Sequence, residues 1–426
     1  MKFLLFAFCV LLSAFLTHSA SAGEYALSIK RQTVTITGRP VEKITINGGI
    51  PGPTLRFKEG EDVVIRVTNH LDEDSSVHWH GLILPGEMDG VPGFNGFPGI
   101  RPGETFTYRF TARQAGTYWY HAHSIAQEQD GHYGSIIIEP RGGDPIAAER
   151  DYVVLLSDFH EEDGGAIFSN LKMSADYYQY ARRTVFDFFN DVERRGWSKA
   201  WSDATMWGSM RMLPTDLSDV SGYTFLINGK SAEQNWTGLF RTGERVRLRF
   251  INASAMSVFD VRIPGLSMRL VQADGQDVEP IAIDEFRFGP AETYDVVVTP
   301  KTDDAYTIAA EPIDRTGFAL GTLAPREGMR GPTPAARPRA LLTMADMGMG
   351  NDAGTDAMPG MNHASMNHAG MPMDHSAMKG MTMDHAAMAG MQMPMDHSTM
   401  SMDSMQDSAS EKSAKSGWAE AGTPDR

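Results

Sequence analysis

Cysteine is almost absent from this 426-residue sequence. Cys9 is the only one, and it sits in an amino-terminal stretch that reads as a cleaved export signal. "MKFLLFAFCVLLSAFLTHSASA" carries one lysine near its start, an apolar run from Phe3 to Leu16, and Ala20-Ser21-Ala22 before Gly23, the A-x-A pattern of a signal cleavage site. Residues 1–22 are therefore expected to leave, and Cys9 with them. The mature chain then has no disulfide and no thiolate ligand, although export predicts an oxidising, periplasmic destination. Long hydrophobic runs are also missing. The Phe3–Leu16 run is too short to cross a bilayer, so no membrane span is expected after cleavage. Cationic excess is missing as well. With 38 Lys+Arg against 54 Asp+Glu, the net charge is −16 and the isoelectric point about 5.2, which argues against nucleic acid and anionic membrane surfaces as partners.

Short strands with turn signals between them are abundant. "TVTITGRP" (33–40), "DVVIRVTNH" (62–70), "TFTYRFTA" (105–112) and "SIIIEP" (135–140) alternate or run apolar at strand length. A second block repeats the style with "YVVLLSDF" (152–159), "YTFLING" (223–229), "ERVRLRFINAS" (244–254), "FDVRI" (259–263), "MRLVQADG" (268–275) and "YDVVVTP" (294–300). The pattern predicts an all-β chain of two β-sandwich domains, 24–142 and 150–320. Between the first two strands of the second block, residues 170–215 read as a helical insertion. Tyr177, Tyr180, Val185, Phe188, Phe189 and Val192 are spaced like one face of a helix over 176–195, which predicts packing over the sandwich. Residues 321–340 form a Pro/Arg-rich linker.

Beyond the linker the composition changes. Eighteen of the 27 methionines fall between Met344 and Met405. Met-[Asn/Asp]-His recurs five times in the segment 341–406, placing Met361 and His363, Met366 and His368, Met373 and His375, Met383 and His385, and Met395 and His397 in register. Too few aliphatic residues remain to bury a core, so disorder without metal is expected. Thioether sulfur favours Cu(I), and imidazole accepts Cu(I) or Cu(II), so the segment is expected to bind copper loosely at many sites. Residues 407–426 form a tail. Met206, Met210 and Met212 in "MWGSMRM" offer either a small Cu(I) site or packing near a helix end, with packing favoured.

The remaining histidines are few and clustered. "SVHWHGLILPGEMDGVPGF" (76–94) holds His78 and His80, and "YWYHAHS" (118–124) holds His121 and His123. On a strand, residues i and i+2 share a face with Cα atoms about 6.7 Å apart. Two such imidazoles project side by side and serve neighbouring metal ions more naturally than a single one. Trp79, Tyr118, Trp119 and Tyr120 would keep such a site dry. His70, His132 and His160 are unpaired and read as ordinary structural or loop histidines.

"HWHGLILPGEMDGVPG", "QAGTYWYHAHS" and "QEQDGHYGSIIIEP" resemble the first domain of multicopper oxidases of the periplasmic copper-resistance type. The likeness continues through "DYYQYARRTVFDFFNDV" and "MWGSMRMLPTDLSDVSGYTFLING" to "GWAEAGTP" at the carboxyl end. The resemblance implies cupredoxin-like sandwiches and an oxidase that couples oxidation of Cu(I) or phenolic compounds to reduction of oxygen to water. It implies that His78 is a type 2 copper ligand and that His80, His121 and His123 bind the type 3 pair. Ala122 stands where the subfamily often has serine, a position that is not a ligand.

Two departures matter. The family takes the other half of its trinuclear cluster from a third domain, and a type 1 copper from a His-Cys-His motif. Neither is found in this sequence, and the second block has no His-x-His of its own. The chain is therefore expected to hold half of a cluster and to be inactive alone, its third cupredoxin domain either encoded separately or lost by truncation. The alternative is a non-catalytic copper sequestrant built on the Met/His segment.

Overall fold

Short strands, some alternating buried and exposed side chains and others buried throughout, make up most of the computed structural model, which describes residues 23–343 apart from Ile125, together with 345 and 346. The signal segment, the Met/His-rich segment beyond Asp346 with all ten of its candidate ligands, and the tail lie outside the described residues.

The first sandwich comprises β1 (Gly23–Val34), β2 (Val41–Ile46), β3 (Leu55–Lys58), β4 (Asp62–Asn69), β5 (His78–His80), β6 (Thr105–Thr111), β7 (Gly116–His121) and β8 (Tyr133–Glu139). One sheet runs β2-β1-β4-β6 and the other β3-β8-β7-β5. Ile29, Ile44, Ile65, Val67, Trp79, Tyr108, Tyr120 and Ile136 fill the space between them. The stretch 33–40, expected as a strand, is mainly the connection between β1 and β2. Gly38 there has a φ of +87° and donates its N–H to the Thr35 carbonyl, so the chain reverses where the sequence alternation continues.

The second sandwich follows with β9 (Arg150–Phe159). It continues through three helices, α1 (Gly164–Met173), α2 (Val185–Arg195) and α3 (Trp197–Met210), and then β10 (Thr224–Ile227), β11 (Trp236–Leu239), β12 (Val246–Asn252) and β13 (Phe259–Arg262). β14 (Met268–Ala273), β15 (Gln276–Ile283), β16 (Glu285–Phe288), β17 (Thr293–Val298), β18 (Tyr306–Pro312) and β19 (Ala319–Ala324) complete it. Its sheets run β10-β9-β12-β17-β14-β15 and β11-β19-β18-β13-β16. β19 crosses the 320/321 boundary expected from composition. The Pro/Arg-rich stretch after it is tied to the sandwich rather than hanging free. Thr307 Oγ1 donates to the Pro332 carbonyl and Arg337 N to Glu311 Oε1, and just beyond the stretch Leu342 N donates to the Pro214 carbonyl of the insertion.

The helical insertion is present but begins earlier and is broken. No single helix covers 176–195. α2 starts only at Val185, where Thr184 and Asp187 form a reciprocal capping box. Its apolar face is not buried against the sandwich either. Among the described residues, ten of the fourteen exposed large hydrophobic side chains belong to this insertion, Val185, Phe186 and Phe189 among them. Met206 is exposed too, so packing does not account for it.

No helix among the described residues is long and apolar enough to cross a membrane. A small apolar cluster joins the two sandwiches. Trp119 and Tyr133 from the first meet Leu155, Ile251 and Ala253 from the second.

Candidate metal centre

β5 pairs antiparallel with β7, setting His78 opposite His121 and His80 opposite Trp119. The pleat then sorts the side chains. Trp79, Tyr118 and Tyr120 enter the first core, while His78, His80, Trp119 and His121 share the other face, the one turned to the second sandwich through Trp119.

On that face three imidazoles converge. Donor atoms of His78, His80 and His121 all lie within 4.8 Å of one another, and His80 Nδ1 stands 3.3 Å from His121 Nε2. Two nitrogens bound at about 2.0–2.1 Å to one tetrahedral ion would stand roughly 3.3 Å apart. Without an ion the pair can share a proton as an N–H···N hydrogen bond, and an ion takes that proton's place. The rings of His78 and His80 lie 5.5 Å apart at 82°, the divergent arrangement expected of i, i+2 imidazoles serving neighbouring ions. His123 is exposed, its ring 5.5 Å from His78 and 5.7 Å from His121. It stands at the rim, outside the compact trio, so the site is not dry on every side.

Each ring is oriented by its surroundings. Nδ1 of His78 donates to the Asp89 carbonyl at 2.8 Å, with the Asp89 carboxylate 3.6 Å away. That commits its other nitrogen to the cavity. His121 stacks on Trp119 with ring centroids 4.1 Å apart and planes 11° apart. Its Nδ1 faces Glu128 Oε2 at 2.8 Å and the Ala122 carbonyl at 3.0 Å, leaving Nε2 for a ligand. The His123 backbone N–H is held by Ser76 Oγ at 2.9 Å.

The electrostatics keep His78 and His80 available to a cation. Burial, followed by the neighbouring histidines, pulls His80 down to about 4. Burial also lowers His78, against a partial counter-pull from Asp89. Neutral imidazole is the form that binds metal. The donor set therefore fits copper, or any other ion that favours imidazole nitrogen.

Glu128 was not found from sequence, although "QEQDG" follows the second histidine pair closely. The remaining histidines are placed as follows. His160 Nδ1 accepts from the Glu162 backbone N–H, and His70 is exposed directly after β4. His132 is less ordinary than expected. It is fully buried, and neither ring nitrogen has a hydrogen-bond partner.

The comparisons with known proteins agree with this geometry. Multicopper oxidase family signatures match residues 28–143 and, separately, 150–327. Copper resistance protein A of Escherichia coli is 52% identical over 365 residues, covering 85% of this chain and 58% of that protein. Copper resistance protein A of Pseudomonas syringae pv. tomato is 52% identical over 349 residues, covering 82% and 56%. The chain thus spans a little over half the length of these relatives. The crystal structure of Fet3p, described as a multicopper oxidase that functions in iron import, superposes with a TM-score of 0.59 at 22% identity, covering 74% of this chain and 55% of that one. That likeness establishes the cupredoxin-like fold alone. With two family signatures spanning both sandwiches and close likeness to copper resistance protein A, the chain belongs to the multicopper oxidase family, and its cofactor is copper.

Proposed function

We propose that this chain contributes one half of a copper cluster to an exported copper-resistance oxidase that couples oxidation of Cu(I) or phenolic compounds to oxygen reduction. The observation that carries this is the approach of His80 Nδ1 and His121 Nε2 to 3.3 Å, with His78 inside the same 4.8 Å group. In this reading His80 and His121 hold one copper of a type 3 pair, His123 reaches the other, and His78 holds the type 2 ion. Copper bound here would supply single-electron steps and a place for oxygen. Burial favours the neutral form of His78 and His80, and the contacts at Nδ1 aim His78 and His121.

Three or four imidazoles are too few for three ions, and the only cysteine in the sequence is Cys9. The remaining histidines and the thiolate that receives electrons are proposed to come from a further cupredoxin unit. The apolar start of the sequence supports export to the periplasm. The test is copper loading of the purified chain followed by X-ray absorption and an oxygen-uptake assay with a phenol. Nitrogen-ligated copper that falls in the His80→Ala and His121→Ala variants is expected, without turnover. A chain that takes up copper to the same extent in both variants would overturn the reading.

A second reading, copper sequestration without turnover, is favoured by the five Met-[Asn/Asp]-His repeats. Removing residues 341–406 is then expected to lower the total copper bound while leaving the imidazole-bound fraction in place. Unchanged stoichiometry would sink it.

A further inference from the structure

We infer that Glu128 is the positioning residue for His121, accepting a hydrogen bond from its Nδ1–H so that Nε2 stays bare and aimed at the point shared with His80 Nδ1. The inference rests on the copper reading above.

The turn that carries Glu128 is fixed on both sides of it. Gln127 accepts from Ser75 Oγ at 2.8 Å and donates to the Asp74 carbonyl at 2.9 Å. Gln129 donates to the Asp158 carbonyl at 3.1 Å and accepts from Tyr223 OH at 2.8 Å, so the second sandwich grips it. Asp130 is held by the fully buried Lys43 at 2.8 Å. With its neighbours engaged elsewhere, Glu128 alone among residues 127–130 meets an imidazole of the trio. It lines a cavity of about 290 Å³ together with His121, His123 and Ala255.

A carboxylate on the far nitrogen of a ligating histidine fixes the tautomer and raises the basicity of the ligating nitrogen. His78 has only a backbone carbonyl in hydrogen-bond contact, with the Asp89 carboxylate more distant. His121 has the Ala122 carbonyl and a carboxylate together. The carbonyl, from the adjacent residue and uncharged, holds the tautomer less firmly than a carboxylate. Only Glu128 adds negative charge, so the inference separates geometry from donor strength.

The experiment uses the full chain with ¹⁵N-labelled histidine, without metal and during anaerobic titration with Cu(I), which is diamagnetic and leaves the His121 resonances readable. Wild type is expected to show His121 protonated on Nδ1. Glu128→Ala is expected to move the Cu(I) midpoint at His121 Nε2 up by about 10–100-fold and to release a second tautomer. Glu128→Gln, whose amide oxygen accepts the proton without charge, should restore the tautomer and only part of the affinity. His78 should keep its tautomer in every variant, because Asp89 holds it. A Glu128→Ala protein with an unchanged His121 tautomer and an unchanged midpoint would overturn the inference. If Glu128→Ala does not fold, Glu128→Gln decides, since a wild-type midpoint there is equally fatal. If wild-type His121 never responds to Cu(I), the copper reading fails, while the metal-free tautomers still judge the positioning role.

Discussion

Each of the eight strands of the first sandwich has a counterpart in the second, which adds β14, β15 and β16, yet the two load the same position with opposite chemistry. In the first, β1 lies between an antiparallel β2 and a parallel β4, and β7 lies between β5 and β8. In the second, β9 lies between an antiparallel β10 and a parallel β12, and β18 lies between β13 and β19. β5 therefore corresponds to β13, and β7 to β18. On the first pair sit His78, His80 and His121. On the second, Asp260 faces Glu311, and both carboxylates are buried under Arg287, Arg315, Arg262 and Arg337. One slot is left as imidazoles awaiting a cation, and the other is closed by cations the chain provides itself. The backbone supplies the platform, and the side chains decide whether it is a site or a seal.

That contrast predicts unequal costs for equivalent substitutions. Asp260 accepts from Arg287 Nε at 2.6 Å and from Arg315 Nη2 at 2.6 Å. Burial pushes its carboxyl up, but the two guanidinium groups outweigh this and hold it below the usual range. Asp260→Ala strands buried cations and should destabilise the protein by about 3–5 kcal/mol. His80→Leu, in metal-free protein, removes a half-buried base with no fixed counter-charge and should stay within about 1 kcal/mol of wild type. Urea unfolding of both variants without copper makes the measurement. Equal losses would end the distinction between site and seal.

Smaller in size, but opposite in sign, is the effect expected at His132. Its ring is buried with both nitrogens unpartnered, and unmet polar groups cost about 1–3 kcal/mol. His132→Leu should therefore raise stability by about that amount at pH 7. Burial, then the charge of His121, lowers this imidazole to about 3, against an ordinary value of about 6.5. Between those values the unfolded chain binds a proton that the folded chain refuses, so the stability of wild type falls as pH drops from about 6.5 towards 3. The variant loses that slope. Its advantage over wild type should widen steadily on acidification, and a constant gap in denaturation midpoints across pH 4–7 would refute this account.

These substitutions also mark where sequence reading stops. The strand-rich blocks and the two histidine pairs are legible because alternation and i, i+2 spacing are local properties. The correspondence of β5 with β13 is not legible, since "HWH" and "FDVR" share no residue pattern, and buried Asp260 and Glu311 look like surface charges. Glu128 escaped because its role depends on a turn folded back by Gln127 and Gln129 onto a neighbouring strand. The expected helix over 176–195 merged two things. The aromatic spacing runs through residues 174–184, which lie in turns and loop, before the cap at Thr184 starts α2. Thr184, three positions before Asp187, marks the helix start that the aromatic spacing does not.

The smallest expected effects lie where the two sandwiches differ most in length, the connection from their first strand to their second. Six residues join β1 to β2, from Thr35 to Pro40, whereas residues 160–223, with α1, α2 and α3, join β9 to β10. If caps rather than burial set these helices, a cap should matter more than a large apolar side chain. Thr184 Oγ1 accepts from the Asp187 N–H and Asp187 answers to the Thr184 N–H, so Thr184→Ala should cost about 1 kcal/mol. Phe186 is 80% exposed, and Phe186→Ser should change stability by no more than about 0.5 kcal/mol. Helicity and unfolding midpoints of the two variants, measured side by side, test the order. A larger loss at Phe186 than at Thr184 would mean that this face is covered in solution, and that the insertion is held by packing after all.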